Sequence, residues 1–123
     1  MIGDTITITM GGFGGDPRVL KKINQDNYSS EYMHRTVTDE LVLKVRHAKE
    51  KARNGAPALD RHNVVLSQRV FATVDSPERY REFYFVYRVA PGDDLSDANL
   101  GPLGLSDWIM TIGNIDKIAG WES

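Results

Sequence analysis

With no cysteine among its 123 residues, the chain has no thiol nucleophile, no thiolate metal site and no disulfide framework, and its redox compartment stays open. Long apolar runs are missing too. The longest strongly apolar stretch, Phe83 to Tyr87, is far short of the roughly 20 residues that span a bilayer. No basic residue precedes Arg18 to begin a signal peptide. These absences predict a soluble, unprocessed protein with no membrane partner. The length falls below the roughly 150 residues usual for one domain, so a single domain over 1–123 is expected, without separate catalytic and cofactor-binding halves. At 41% hydrophobic and 26% charged residues, such a chain buries a modest core without covalent staples.

What is present is an uneven charge. The net charge of -2 argues against a polyanionic partner when taken whole, but residues 1–43 hold four basic and six acidic side chains, 44–69 hold seven and two, and 70–123 hold four and nine. An anionic polymer responds to charge within about a Debye length, roughly 8 Å in physiological salt, so the central block can present a local basic surface. The plainer reading is a solvated strand and loop.

Alternation with period two runs through the first three-quarters of the chain. Asp4 to Met10 sets Ile6, Ile8 and Met10 on one face and threonines on the other. The breaker cluster Gly11 to Pro17 then predicts a hairpin turn into a second strand, Arg18 to Asn24. Further strands are expected at Tyr28 to Arg35, Glu40 to Glu50, Arg61 to Val74 and 79–89, with 51–60 a loop interrupted by Asn54-Gly55 and Pro57. From Leu95 the period changes. Leu105, Trp108, Ile112, Ile115 and Ala119 follow helical spacing, and Gly101-Pro102 and Gly113 divide the segment into two short helices closed by Gly120. The class is α+β: a hairpin over 1–24, a sheet over 28–89 and helices over 95–120. One helix pair is too narrow to cover such a sheet. Either a second copy supplies the cover, as a two-fold dimer allows, or a monomer packs its helices back on itself.

Three chemical readings are weak. The glycine cluster lacks the Lys-Ser/Thr ending of a phosphate-binding loop. His34, His47 and His62 with Asp60 and nearby serines have no Gly-x-Ser-x-Gly elbow, so no catalysis is expected. Asp93, Asp94 and Asp97 precede the helical segment, where carboxylates ordinarily cap a helix; calcium is the lesser alternative. The remaining constellation is a polar face. Lys44 and Arg46 share one side of their strand, Arg61, Asn63, Ser67 and Arg69 one side of the next, and Tyr84 and Arg88 one side of the last, with Glu82 among them. Basic side chains there would neutralise phosphates, Asn63 and Ser67 would bond bases or sugars, and Tyr84 would stack an unpaired base. An ordinary solvated face with cross-strand ion pairs is the alternative.

Specific residues carry a resemblance as well: Gly3-Asp4-Thr5 with Ile6-Thr7, the Gly-Gly-x-Gly-Gly turn, Val19-Leu20, Lys22-Ile23-Asn24-Gln25-Asp26, Tyr28, Ser30-Glu31-Tyr32, Lys44-Val45-Arg46-His47, Lys49-Glu50, Arg61-His62-Asn63-Val64 and Gly120-Trp121-Glu122-Ser123. Together these resemble the coat proteins of small single-stranded RNA bacteriophages, in particular that of a phage infecting Caulobacter. The resemblance follows chain order nearly throughout and is strongest before residue 70. It implies an N-terminal hairpin, an antiparallel sheet of about five strands and two C-terminal helices. It further implies an intertwined homodimer in which helices cross onto the partner, and an icosahedral capsid assembled in the bacterial host cytoplasm. The virion would hold single-stranded genomic RNA on the inner sheet face, with an RNA hairpin through which replicase translation is repressed. RNA contact is carried over to Lys44, Arg46, Arg61 and Asn63 on local sequence and to Tyr84 and Arg88 by strand position, whereas Arg69 and Ser67 rest on the face pattern alone. No cofactor is required; calcium at subunit contacts occurs in some members, with no ligand set matched here. The poor helix sequence Gly101-Pro102-Leu103-Gly104 departs from the pattern. A free RNA-binding sheet module that closes no shell is the alternative function.

Overall fold

A computed structural model describes residues 2–122; Met1 and Ser123, the ends of the expected domain, lie outside the described residues. Six strands form one antiparallel sheet in sequence order: β1 (Thr5–Met10), β2 (Asp16–Gln25), β3 (Ser29–Arg35), β4 (Asp39–Glu50), β5 (Leu59–Val70) and β6 (Arg79–Val89). Three helical segments follow, α1 (Leu95–Ala98), α2 (Leu100–Met110) and α3 (Asn114–Ala119). The expected hairpin is thus not a separate unit but the first two strands of a continuous sheet. The expected helix pair corresponds to α2 and α3, preceded by a single turn.

Each connection has a local cause. Gly11, Gly12 and Gly14 take φ of 85, 82 and 81°, values that side chains rarely adopt, and a Cβ on Gly15 would strike the Met10 carbonyl. Between β2 and β3, the Asp26 carboxylate accepts from the Tyr28 and Ser29 amides, both at 2.8 Å, an Asx turn. β5 ends at Val70 rather than the expected Val74. Phe71 still bonds the Thr38 carbonyl, but Thr73 and Ser76 then bond each other and turn the chain away despite its β-branched composition. Leu59 and Asp60, expected in the loop, instead pair with Glu50 and Lys49.

One face of the sheet carries the core: Leu20, Tyr32, Leu41, Leu43 and Val45, with Ile6, Ile8, Met10, Val64 and Leu66 packed against them. Leu20, Tyr32 and Leu41 are wholly enclosed, and such burial is worth about 1.5–3 kcal/mol per large apolar side chain. Leu20 itself belongs to the N-terminal hairpin, whose Ile6, Ile8 and Met10 pack against the cluster. The β2–β3 register shifts between Lys22 and Asn24, leaving a bulge at Ile23, and bulges bend a strand and tighten its twist. Met10 consequently lines one cleft with Leu41, Leu66 and Phe83, residues on β4, β5 and β6 far from β1 in strand order. The Tyr32 hydroxyl, donating to the Gly3 carbonyl at 2.8 Å, fastens the hairpin's start.

The other half of that face has no such cover. Phe83 is 51% exposed, and no helix contributes a buried residue. Leu105, Ile109 and Met110 of α2 share with Val64, Phe83 and Phe85 an open cleft of about 350 Å³, so neither surface is closed within one subunit. α2 forms through Gly101-Pro102 because Pro102 sits in its first turn, where the missing N–H has no intrahelical role. Gly113, at φ 87°, breaks the segment as expected, and Ile112 lies in the gap, 99% exposed. Asp94 caps α1, its carboxylate accepting from the Ser96 amide at 3.0 Å.

Candidate nucleic-acid interface

Residues directly opposite in an antiparallel pair share a face, so register alone composes the surface on the far side of the core. Five rows cross it. Ala48, Arg61 and Arg88 make the first; Ser29, Arg46, Asn63 and Val86 the second; Glu31, Lys44, Val65 and Tyr84 the third. Met33, Val42, Ser67 and Glu82 follow, and Arg35, Glu40, Arg69 and Tyr80 close the series. All eight residues expected from the sequence therefore lie on one face. Tyr80 joins them unanticipated, although the alternation that selects Tyr84 and Arg88 also selects it.

Their side chains differ in what they are bonded to. Lys44 Nζ lies 3.8 Å from Glu31, and Arg69 Nε 4.0 Å from Glu78. Arg88 is held by Glu50 through two bonds, Nε to Oε1 at 2.7 Å and Nη2 to Oε2 at 3.1 Å. Ser67 turns its hydroxyl to the Val42 carbonyl at 3.4 Å. Among the described residues, Arg46 and Arg61 have no carboxylate within ion-pair distance. Exposed ion pairs are worth only about 0–1 kcal/mol, so a phosphate can displace a glutamate from Lys44 or Arg69, while Arg46 and Arg61 need no such exchange.

Asn63 sits between these two arginines in the register. Its Oδ1 is buried and, among the described residues, has no hydrogen-bond partner, a placement that costs about 1–3 kcal/mol. Beyond it stands Tyr84, 57% exposed. Its hydroxyl donates to Glu82 Oε2 at 2.7 Å and that of Tyr80 to Oε1 at 2.7 Å. The bonds from Tyr80 and Tyr84, with the charge of Lys44, hold the Glu82 carboxyl below its usual range, and the same bonds push both phenols up. One carboxylate thus steadies two aromatic rings without removing either from solvent. The face combines unneutralised guanidinium groups, the side-chain amide of Asn63 and two anchored rings, groups of the kinds that engage phosphates, base edges and base faces.

No grouping of three or more His, Asp or Glu side chains suited to a metal ion occurs among the described residues. Asp93 and Asp94 are engaged instead in backbone bonds, to the Asp94 and Ser96 amides. His34 faces the Val19 carbonyl and His47 faces His62; among the described residues no serine hydrogen-bonds to a histidine. No helix among the described residues is long and apolar enough to cross a membrane.

Residues 3–90, all six strands, match the family model described as phage phiCb5 coat protein. No curated protein sequence matches. Among solved structures, the chain is similar to the virus-like particle of bacteriophage AVE019 at a TM-score of 0.75 and 11% identity, over 100% of this chain and 99% of that one. Similarity to the bacteriophage EMS014 coat protein has a TM-score of 0.68 and 14% identity over 86% and 72% of the two chains. A structure titled an unassembled virus coat protein dimer, bacteriophage RNA-binding dimer, aligns at a TM-score of 0.53 and 13% identity over 97% and 94%. At such identities the structural likeness is one of fold.

Proposed function

The chain belongs to the phage phiCb5 coat protein family, a structural rather than enzymatic role, and on that premise we propose that it builds a closed shell from two-fold dimers and packages single-stranded genomic RNA against the face described above. The observation that carries the dimer is the unfinished apolar surface. β6 is hydrogen-bonded along one edge only, Phe83 is half exposed, and Leu100, Leu103, Leu105, Trp108, Met110 and Ile115 are each at least half exposed. A soluble subunit does not leave so much contiguous apolar surface to water without a partner for it. A second copy placed edge to edge along β6 would extend the sheet, lay each helix pair over the other's Phe83 and Phe85, and bring the two polar faces into one platform.

RNA binding is supported by Arg46, Arg61, Asn63 and Tyr84, and the same platform would hold the RNA hairpin through which replicase translation is repressed. The reading requires no cofactor. It locates the protein in the virion, with assembly in the host cytoplasm. Multi-angle light scattering of purified protein at low concentration tests the first step: dimers or larger bodies are expected, and a stable monomer contradicts it. A free RNA-binding module would give RNA-bound dimers that never grow beyond that size.

A further inference from the structure

On the core-bearing face, the row next to Val45, Val64 and Phe85 is His47, His62 and Tyr87, which neither the buried cluster nor the polar face includes. The His47 amide donates to the Tyr28 carbonyl at 2.7 Å, on the β3 side. A strand residue points its N–H and C=O the same way, so toward β5 His47 and His62 form a non-hydrogen-bonded pair, the arrangement that brings facing side chains closest. Their ring centroids lie 5.1 Å apart, with Nδ1 2.9 Å from Nδ1. In that contact one Nδ1 donates and the other accepts, which aims both nitrogens into one small space. Tyr87 holds the far side of His62: its ring stands edge-on with centroids 6.0 Å apart, and its hydroxyl donates to Asn99 Oδ1 at 3.1 Å. His47 is exposed, so water reaches the pair.

We propose that His47 and His62 form a bidentate site for a divalent transition-metal ion, with Cu²⁺ the best fit. Metal–imidazole bonds are about 2.0–2.1 Å long, so two nitrogens 2.9 Å apart subtend about 90° at the ion. That is the angle between neighbouring ligands of square-planar or tetragonal Cu²⁺ and Ni²⁺, whereas tetrahedral Zn²⁺ needs the nitrogens about 3.3 Å apart. Cu²⁺ also has the highest intrinsic affinity for such ligands among the first-row divalent ions. Among the described residues no third His, Asp or Glu completes the pair, so water takes the remaining positions. On binding, the ring that carries its proton on Nδ1 moves it to Nε2, and both Nδ1 lone pairs turn to the metal. The ion would clamp β4 to β5 where the two strands run on past Val45 and Val64. The site does not depend on the RNA reading, because it lies on the opposite face from Arg46 and Asn63.

The test is titration of the purified protein with copper(II) chloride, followed by calorimetry and by the electron paramagnetic resonance spectrum of the bound ion. Wild type is expected to take up one ion per chain, to show nitrogen superhyperfine splitting from both imidazoles, and to bind Zn²⁺ more weakly. His47→Gln and His62→Gln should each weaken Cu²⁺ binding by about 100-fold or more, the effect of losing one of two linked ligands. His34→Gln, on a ring that faces the Val19 carbonyl, should leave it unchanged. Binding that survives substitution of His47 or His62 overturns the site. A wild-type spectrum without imidazole nitrogen overturns it whether or not the variants fold, and tighter binding of Zn²⁺ than of Cu²⁺ overturns the assigned geometry.

Discussion

Arg18 on β2 donates from Nη1 to both carboxylate oxygens of Asp39 on β4, at 3.1 and 3.3 Å, and so ties the folded-over hairpin to the middle of the sheet. Asp39 is only 5% exposed and also accepts from Thr36 Oγ1 at 2.7 Å and Gln68 Nε2 at 3.0 Å. One side chain thereby joins β2, β4, β5 and the turn before β4. Removing it by Asp39→Ala takes the shared acceptor from three donors, although Arg18 keeps its 2.7 Å bond to Asp16 and Thr36 its 3.3 Å bond to the residue 39 carbonyl. A loss of about 3 kcal/mol is expected, the low end for breaking a buried pair, read from urea unfolding at fixed protein concentration.

The same residue sets an acid limit. Burial raises the Asp39 carboxyl, but the bonds from Thr36, Gln68 and Arg18, with the charge of Arg18, outweigh it and hold the group below its ordinary value. A carboxyl depressed in the folded state adds stability that is complete above its unfolded value, about 4, and that disappears as pH falls through the folded value. Asp39→Asn removes this term. Urea midpoints measured from pH 7 down to pH 3 should therefore fall more steeply for wild type than for the variant below about pH 4; parallel curves would contradict the assignment.

On the sheet face, Arg46→Gln and Arg61→Gln should each reduce the salt slope of RNA binding by about 0.7, the contribution of one single-strand phosphate contact. Arg88→Gln should change it less, because Glu50 already holds that guanidinium by two bonds. Anisotropy titrations of the three variants side by side give the order directly.

Tyr84 separates stacking from hydrogen bonding. Tyr84→Ala should weaken RNA binding by about 1–3 kcal/mol, the range for losing one base-aromatic stack. Tyr84→Phe keeps the ring and releases Glu82, so it should retain most of the affinity. Equal losses in both variants would show that the hydroxyl, not the ring face, is what RNA engages.

Much of this was legible in the residue pattern, for a physical reason. Side chains alternate strictly along a strand, so once β4, β5 and β6 are recognised, parity alone puts Lys44, Asn63 and Tyr84 on one surface. Parity says nothing about neighbours across strands. Which glutamate neutralises which cation depends on register, and register depends on turn lengths, so the Glu50 to Arg88 pair and the unpaired state of Arg46 were not readable. The hairpin's cover over Leu41 depends on the single bulge at Ile23, which Lys22-Ile23-Asn24 does not advertise. Gly101-Pro102 misleads in the other direction, since a proline that ends a helix interior is harmless in the first turn. The apolar pattern of β6 and the helices, in contrast, is readable in the sequence and raises the question of cover, but it does not choose between a second copy and helices packed back on their own sheet.

The role proposed for this chain is to close shells around RNA. Negative-stain microscopy of protein purified from bacterial expression, paired with its ratio of absorbance at 260 to 280 nm, tests it most directly. Uniform closed particles with a nucleic-acid absorbance ratio are expected. Dispersed protein without particles would contradict the shell, and particles with a protein-only ratio would contradict the packaging of RNA.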